Sequence, residues 1–349
     1  MKAPIGIGVL SFAHGHVGVY CREMHGWDDV RLVATWDDDP ERGARQAAAF
    51  GMRYHPHLES VLDDPEIEAV MVAAETNKHA DLCVAAARAG KHILLQKPMA
   101  LSLEDCDRII TAVEQGGNTL QMAFQMRCDP TNQRMKQLLD DGVLGKIGTL
   151  RRRHCLSLLF NETFFAGPTR WHVDPVANKG MFMDDAVHAA DFLYWLLGAP
   201  VSVMAEIDNV LSNVAPDDTG MAIYRFPSGA FGLLYNCSVT LAAEIATEIY
   251  GDQGTLHHYY GDGVSTPFAP PGAAPLKLYR RGQPQVFEEI ALPIPRSHGE
   301  RIAAVPRPWV DLLRNDGTPE CDARAGRVST AMCLSAYESA ATGRRVAIR

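Results

Sequence analysis

Short apolar runs alternate with amphipathic stretches through the first third of the chain, and each run ends in turn-forming or charged residues. Residues 4–10, 31–36, 69–73, 92–95 and 119–124 read as strands. Residues 16–24, a segment starting at Pro40, and residues 58–62, 80–89 and 103–115 read as helices. The distinction rests on apolar positions that recur at the strand or the helix period. Gly90 stands where a helix C-cap is expected. Strands separated by helices cannot pair as hairpins and predict a parallel sheet. Residues 1–125 are therefore expected to form a doubly wound α/β domain.

Beyond residue 125 the pattern changes. A helix over 130–140 stops at Gly142, and strand signals dominate from Ile147 onward. They are interrupted by one strongly helical segment, MFMDDAVHAADFLYWLLG. MAIYRFPSGAFGLLYNCSV predicts a hairpin turning at Pro227-Ser228-Gly229. GDGVSTPFAPPGAAP predicts a loop from its Gly and Pro content. A last helix is expected over 323–342, ended by Gly343 and packing back toward the first domain. Residues 126–349 thus read as a second, α+β domain with an open, mainly antiparallel sheet.

Composition narrows the class. The 349 residues are 47% hydrophobic and 21% charged, as in ordinary globular proteins. A net charge of -9 gives no footprint for a nucleic-acid backbone. The one basic cluster, Arg151-Arg152-Arg153, reads as an exposed or ion-paired strand segment, with an anion site as the alternative. No apolar run approaches the ~18 residues of a membrane span, and no signal-peptide pattern opens the chain. The eight cysteines form no C-x-x-C pair and read as reduced, mostly buried thiols. A soluble, cytoplasmic protein without a membrane or nucleic-acid partner is expected.

The first strand-helix turn bears on a cofactor. The glycines of a G-x-G-x-x-G fingerprint would fall at Ser11, Ala13 and His16. Ser11, Ala13 and Gly15 still place small residues and free amides at a helix N-terminus, where a pyrophosphate binds, and Phe12, His14 and His16 of the same turn are further candidates to reach it. Asp37 ends the second strand, where a carboxylate accepts from the adenosine ribose, and Asp38 and Asp39 would repel a 2′-phosphate. NAD is therefore expected rather than NADP. One of the three aspartates has the alternative role of capping the next helix. Two later strand ends, AAETNKH with Ala74, Asn77 and His79, and QKP with Gln96 and Lys97, point to the same carboxyl edge of the sheet.

A second constellation lies in the long helical segment. Asp184 and His188 are four residues apart, which puts them on one helix face with Asp191 a further turn along. A carboxylate and an imidazole so spaced suit an orienter and a proton acceptor. A compact metal motif such as H-E-x-x-H is missing, so His154, His172, Asp184 and His188 are not expected to bind a metal.

These segments have an order. From IGIGVLSFAHGH through WDDDPERG, AAETNKH, AGKHILLQKPMA and KGMFMDDAVHAADFLYWLLG to GDQGTL and AYESAATGRRV, nearly the whole chain resembles the glucose-fructose oxidoreductase / inositol dehydrogenase / rhizopine-catabolism (Gfo/Idh/MocA) family. The resemblance implies a Rossmann NAD(P)-binding domain and a sheet domain that binds substrate and pairs subunits as a dimer or tetramer. It implies Lys97, Asp184 and His188 as catalytic residues and NAD(H)-linked interconversion of a secondary alcohol and a ketone on a sugar, cyclitol or related polyol. In that scheme His188 or Lys97 is the base, and Asp184 binds substrate and tunes the pair. The segment TRWHVDP is similar to a family stretch that reaches substrate. It brings Trp171 and His172 to the candidate substrate ligands, with Arg127 after the last Rossmann strand.

Two departures stand out: Gln96 replaces the family's glutamate beside Lys97, and the glycine motif is degenerate. The same family frame accommodates a redox-neutral enzyme that uses tightly bound NAD for glycoside elimination or epimerisation. It also accommodates a non-catalytic NAD- and sugar-sensing regulator.

Overall fold

The computed structural model describes residues 3–242, 244–258 and 274–349; most of the expected loop over 261–275 lies outside them. The chain divides into two compact units. The first comprises Met1–Phe124, Val176–Asn178 and Ile302–Arg327, and the second Gln125–Pro175, Lys179–Arg301 and Val328–Arg349.

In the first unit strands β1 (Ile5–Leu10), β2 (Val30–Trp36), β3 (Arg53–Tyr54), β4 (Ala69–Val72), β5 (His92–Leu95) and β6 (Leu120–Met122) form one sheet, in the order β3-β2-β1-β4-β5-β6. Every pairing in it is parallel. Helices α1 (His16–Met24), α2 (Pro40–Phe50), α3 (Leu58–Leu62), α4 (His79–Arg88) and α5 (Leu103–Gly116) follow successive strands. This is the doubly wound fold expected, with its order reversing between β1 and β4, where such sheets bind ligands beyond the strand ends. β1 and β4 are fully buried, which explains runs that read as continuously apolar. Gly6 cannot be larger: a Cβ there would lie 1.7 Å from the Glu66 carbonyl oxygen. The segment 302–327 belongs to this unit too. Met122 N donates to Cys321 O at 2.8 Å, and Arg307 pairs with Asp29 at 3.0 Å.

The second unit starts with α6 (Pro130–Asp140) and β7 (Ile147–Cys155), followed by the short helices α7 (Glu162–Ala166) and α8 (Met181–Asp184) and the longer α9 (Ala186–Leu197). Strands β8 (Ser202–Asp208), β9 (Thr219–Arg225), β10 (Phe231–Cys237), β11 (Glu244–Gly251), β12 (Gly254–His258), β13 (Leu276–Arg280) and β14 (Glu288–Ile290) follow. With β15 (Val346–Ala347) they make a nine-stranded sheet, ordered β14-β13-β12-β11-β7-β10-β9-β8-β15. Among the described residues of this sheet, only β7 and β10 pair in parallel. The expected hairpin forms as β9 and β10, with Gly229 at φ 91° in its turn. The chain closes through α10 (His298–Ala303), α11 (Pro306–Arg314) and α12 (Ala323–Thr342).

Two expectations are refined. The MFMDDAVHAADFLYWLLG segment is two helices rather than one, parting at Asp185, where His188 N reaches back only three residues to Asp185 O at 3.1 Å. The arginine cluster divides its roles. Arg151 forms an ion pair with Glu248, while Arg152 is wholly buried, its guanidinium 4.3 Å from the Phe192 ring centroid and 2.6 Å from Thr247 Oγ1.

Candidate active-site residues

In the first unit, the turn after β1 and the end of β2 are tied together. Ser11 has a left-handed backbone, φ 70°, so it stands where the fingerprint would place its first glycine. Its hydroxyl oxygen accepts from Ala13 N at 3.2 Å. Phe12 N donates to Asp37 Oδ2 at 2.8 Å, and the Phe12 ring stacks on Phe50. His14 N donates to Ala73 O at 2.9 Å, and His14 and His16 contact each other edge to face.

The three aspartates divide the work that the sequence left open. Asp39 is the N-cap of α2, accepting from Arg42 N at 3.0 Å, and Pro40 opens the helix. Asp38 pairs with Arg42 and Lys78; burial disfavours its charge, but the Lys78 ammonium outweighs that and lowers its pKa. Asp37 is buried and gripped by Arg42 at 2.9 and 2.6 Å. Arg42 was not foreseen. The signal was its place on the first turn of the helix after β2, which turns its side chain back toward the strand end.

At the β4 and β5 ends, His79 is completely buried with Nδ1 2.9 Å from Pro98 O and Nε2 3.1 Å from Ala74 O. Burial lowers its pKa, and the two carbonyls act in the opposite direction. Ala74 thus contributes its carbonyl, while Asn77 is exposed and its backbone N donates to Ala177 O at 3.1 Å. Lys97 is buried at the exit of β5 and joined to Pro98 by a cis bond. Gln96, where the family has glutamate, donates to Tyr20 hydroxyl at 2.7 Å and accepts from Lys97 N at 3.3 Å.

In the second unit, Asp184, His188 and His172 are buried. His172 Nδ1 lies 3.0 Å from Asp184 Oδ1. The His172 ring stacks on Trp171 at 3.7 Å and tilts against Phe164 at 5.1 Å. This loop is anchored by a small apolar cluster of Cys155, Leu159, Met181, Cys237 and Val239, to which Phe164 and Val173 add. His188 stacks at 5.9 Å on His154 from β7, a neighbour considered from the sequence only as a metal ligand. Arg127 and Asp191 form a buried two-pronged ion pair at 2.6 and 2.9 Å, a structural engagement for both. Among the described residues, no group of three or more His, Cys, Asp or Glu is placed to hold a metal ion.

Two family models cover most of the chain. One, described as an oxidoreductase family with an NAD-binding Rossmann fold, matches residues 3–124; the other, the GFO/IDH/MocA C-terminal domain, matches residues 132–257. The chain belongs to the GFO/IDH/MocA oxidoreductase family. It is 32% identical over 258 residues to inositol 2-dehydrogenase 2 of Saccharopolyspora erythraea, covering 72% of this chain and 71% of that one. It is 27% identical to 1,5-anhydro-D-fructose reductase of Ensifer adhaerens, over 91% of both. The WlbA dehydrogenase of Bordetella pertussis, solved with NADH and UDP-GlcNAcA, superposes with a TM-score of 0.84 at 24% identity, covering 100% of this chain and 99% of that one.

The GFO/IDH/MocA chain fits the dinucleotide its fold binds. Gly15, the N-cap of α1, is exposed, and no heavy atom lies within 4 Å of where a side chain would be. A pyrophosphate therefore has room at that helix N-terminus. Ser11 and Ala13 are small residues of the same turn, and Asp37 directly follows β2 beside it, accepting from Phe12 N. Among the described residues, no helix is long and apolar enough to cross a membrane.

Proposed function

We propose that the protein is an NAD(H)-dependent dehydrogenase that interconverts a secondary alcohol and a ketone on a sugar, cyclitol or related polyol. The observation that carries this reading is the buried contact, at 3.0 Å, between His172 and Asp184, the last residue of α8, with His188 on α9 just beyond it. A carboxylate that orients one imidazole, with a second imidazole four residues on, is equipment for moving a hydroxyl proton. The names of the inositol and anhydrofructose relatives support a polyhydroxylated substrate.

NAD would supply the hydride acceptor. Ser11, Phe12, Ala13, His14 and His16 would line its pyrophosphate, and Asp37 and Asp38 the adenosine end. Gln96, Asn77 and Ala74 belong to strand ends that would border the nicotinamide half, with His79 bracing them. His188 accepts the hydroxyl proton, and Asp184 holds and polarises the group next to it; Lys97 is the third catalytic candidate, a cation suited to stabilising developing negative charge. Trp171 would present an apolar face to the ring of the substrate.

The same reading includes a homo-oligomer, because the outer face of the large sheet exposes Met204, Met221 and Ile223 side by side. It also includes a cytoplasmic location, suited to eight cysteines that are all free thiols.

The test is a fluorescence titration with NADH and NADPH, then a panel of sugars and polyols followed by nicotinamide absorbance. Tighter NADH binding and reduction of NAD by a panel member are expected. Binding without absorbance change, but with product formed, would replace this reading with redox-neutral chemistry. Failure to bind either nucleotide, with none retained by the purified protein, would overturn it.

A further inference from the structure

Helix α8 begins without a cap of its own. Gly180 holds the N-cap position and has no side chain to offer the first amides, which every helix start leaves without intrahelical partners. Two residues from distant parts of the second unit supply what is missing. Asp217, just before β9, accepts from Phe182 N at 2.6 Å through Oδ1. Tyr337, on α12, accepts from Met183 N at 3.2 Å and donates its hydroxyl to Asp217 Oδ2 at 2.7 Å. Carboxylate and phenol close a three-bond clamp across the first turn of α8.

The clamp leaves no space for a side chain beneath it. A Cβ on Gly180 would lie 1.9 Å from Asp217 Oδ2 and 2.9 Å from the Tyr337 hydroxyl oxygen. The glycine that precedes the Asp184 helix is thus required by close approach. Around the clamp, Phe182 stands edge-on to the Tyr337 ring at 5.8 Å, and Lys179 Nζ lies 5.1 Å from that ring's centroid.

The choice of groups is informative. An asparagine could accept from the Phe182 amide without carrying charge. The protein keeps a carboxyl that burial pushes up to about 6, against the hydrogen bonds from Tyr337 and Phe182, with Asp218 adding to the rise and Lys179 opposing it. Hydrogen bonds to an ionised acceptor are about twice as strong as neutral ones. Only an unprotonated Oδ2 accepts the Tyr337 hydroxyl while that oxygen holds the Met183 amide. The arrangement favours a rigid helix start over an inexpensive one.

Rigidity matters because α8 has only four residues and Asp184 is its last. The helix is about 6 Å long, so tilting its start by about 10° displaces Asp184 by about 1 Å. That is enough to break the 3.0 Å contact with His172. We propose that Asp217 and Tyr337 are positioning residues for Asp184, fixing the start of α8 so that the carboxylate at its far end meets His172. The functional weight of this rests on the reading of Asp184 and His188 given above.

The test is residue-resolved amide exchange and imidazole N–H NMR on the full-length protein, comparing the wild type with Y337F, D217N, D217A and H172Q. Phe182 and Met183 are expected to exchange at least tenfold faster in D217A, and Met183 at least tenfold faster in Y337F. The His172 N–H resonance, identified by its loss in H172Q, is expected to be lost in Y337F as well. D217N should retain slow exchange at Phe182 while Met183 speeds up, because the amide can replace only one of the two acceptors. Unprotected amides in the wild type, unchanged exchange in Y337F, or a His172 resonance that survives it would each overturn the proposal. If D217A does not fold, Y337F and D217N carry the same decision. The functional reading fails by a different result: no panel member reduces NAD, although amides and imidazole behave as expected.

Discussion

Arg42 grips Asp37 with two hydrogen bonds, Nε to Oδ2 at 2.9 Å and Nη2 to Oδ1 at 2.6 Å. The carboxylate that marks a ribose site in this fold therefore comes with a cation from its own chain. Burial works against the Arg42 charge, but the bond to Asp37 outweighs it and holds the guanidinium above its ordinary range. With Lys78 also within reach of Asp38, the end of β2 is less negative than three consecutive aspartates suggest. Discrimination against a 2′-phosphate should accordingly depend on Arg42 as well as Asp37. R42A should strengthen the preference for NADH over NADPH by about tenfold, or about 1.4 kcal/mol, and D37A should move it by at least as much the other way. Fluorescence titration with both nucleotides decides; a ratio unchanged in R42A removes Arg42 from cofactor selection.

His172 and Asp184 should act as one unit. H172A or D184N is expected to lower turnover of a responsive polyol by roughly a hundredfold, within the range for lost proton-transfer groups, with NADH affinity unchanged. The double variant should be scarcely worse than either single one, as for residues that work only together. Steady-state kinetics of all three variants provide the check. Multiplying losses would mean that the two residues serve separate purposes.

Much of the fold was legible because its determinants are local. Every strand of the first sheet except β3, the two-residue Arg53–Tyr54 that the sequence reading missed, is a mainly apolar run, and helix caps such as Asp39, Ser102 and Gly117 are visible in sequence between them. The Lys97, Asp184 and His188 candidates were legible for a different reason, the order of family segments. What escaped are contacts whose partners are far apart in the chain. Tyr337 lies 154 residues from the amide it accepts from, and no periodicity connects them. His79 looked like a ligand because a histidine at a strand end is ambiguous until its two carbonyl neighbours are known. The break at Asp185 was hidden because both halves of that segment are helical and apolar on the same scale.

Asp217 should leave a signature in the pH dependence of stability. Its carboxyl is raised from 3.8 to about 6, chiefly by burial, with Tyr337, Phe182 N, Asp218 and Lys179 around it and the Cys333 thiol close to Tyr337. The folded state therefore binds this proton more tightly than the unfolded chain does. Its contribution to stability is fully present below pH 3.8 and is lost as pH rises through about 6. The loss amounts to about 3 kcal/mol at neutral pH. D217N, which cannot ionise, should be more stable than the wild type at pH 8, and the difference should shrink as pH falls from about 6 toward 4. Urea unfolding of both proteins across this range tests it, and a constant difference would mean that Asp217 does not titrate in the folded state.

The outer face of the large sheet gives the last prediction. One row runs across it through paired residues: Met204, Ile223 and Leu233, then Arg151, Glu248, His257, Lys277 and Glu289. The second half of the row carries charges of both signs that pair across strands, Arg151 with Glu248 and Lys277 with Glu289. The first half is apolar, and on β9 the two central outward positions, Met221 and Ile223, are about half exposed at 54% and 49%. Alternation along a strand normally turns polar residues toward water, so an apolar outer row calls for a cover, and a second copy of the chain is the cover we propose. A two-fold interface counts each substitution twice, because both copies contribute the same patch. I223K would bury two unpaired ammonium groups, at a cost on the order of 3 kcal/mol or more, enough to shift association by at least a hundredfold. Light scattering should show a smaller assembly for I223K than for the wild type, while NADH titrates normally because Ile223 is far along the chain from the first unit's turn. A wild type that already has the mass of one chain, or an assembly that I223K leaves intact, would show that this face is not where copies meet.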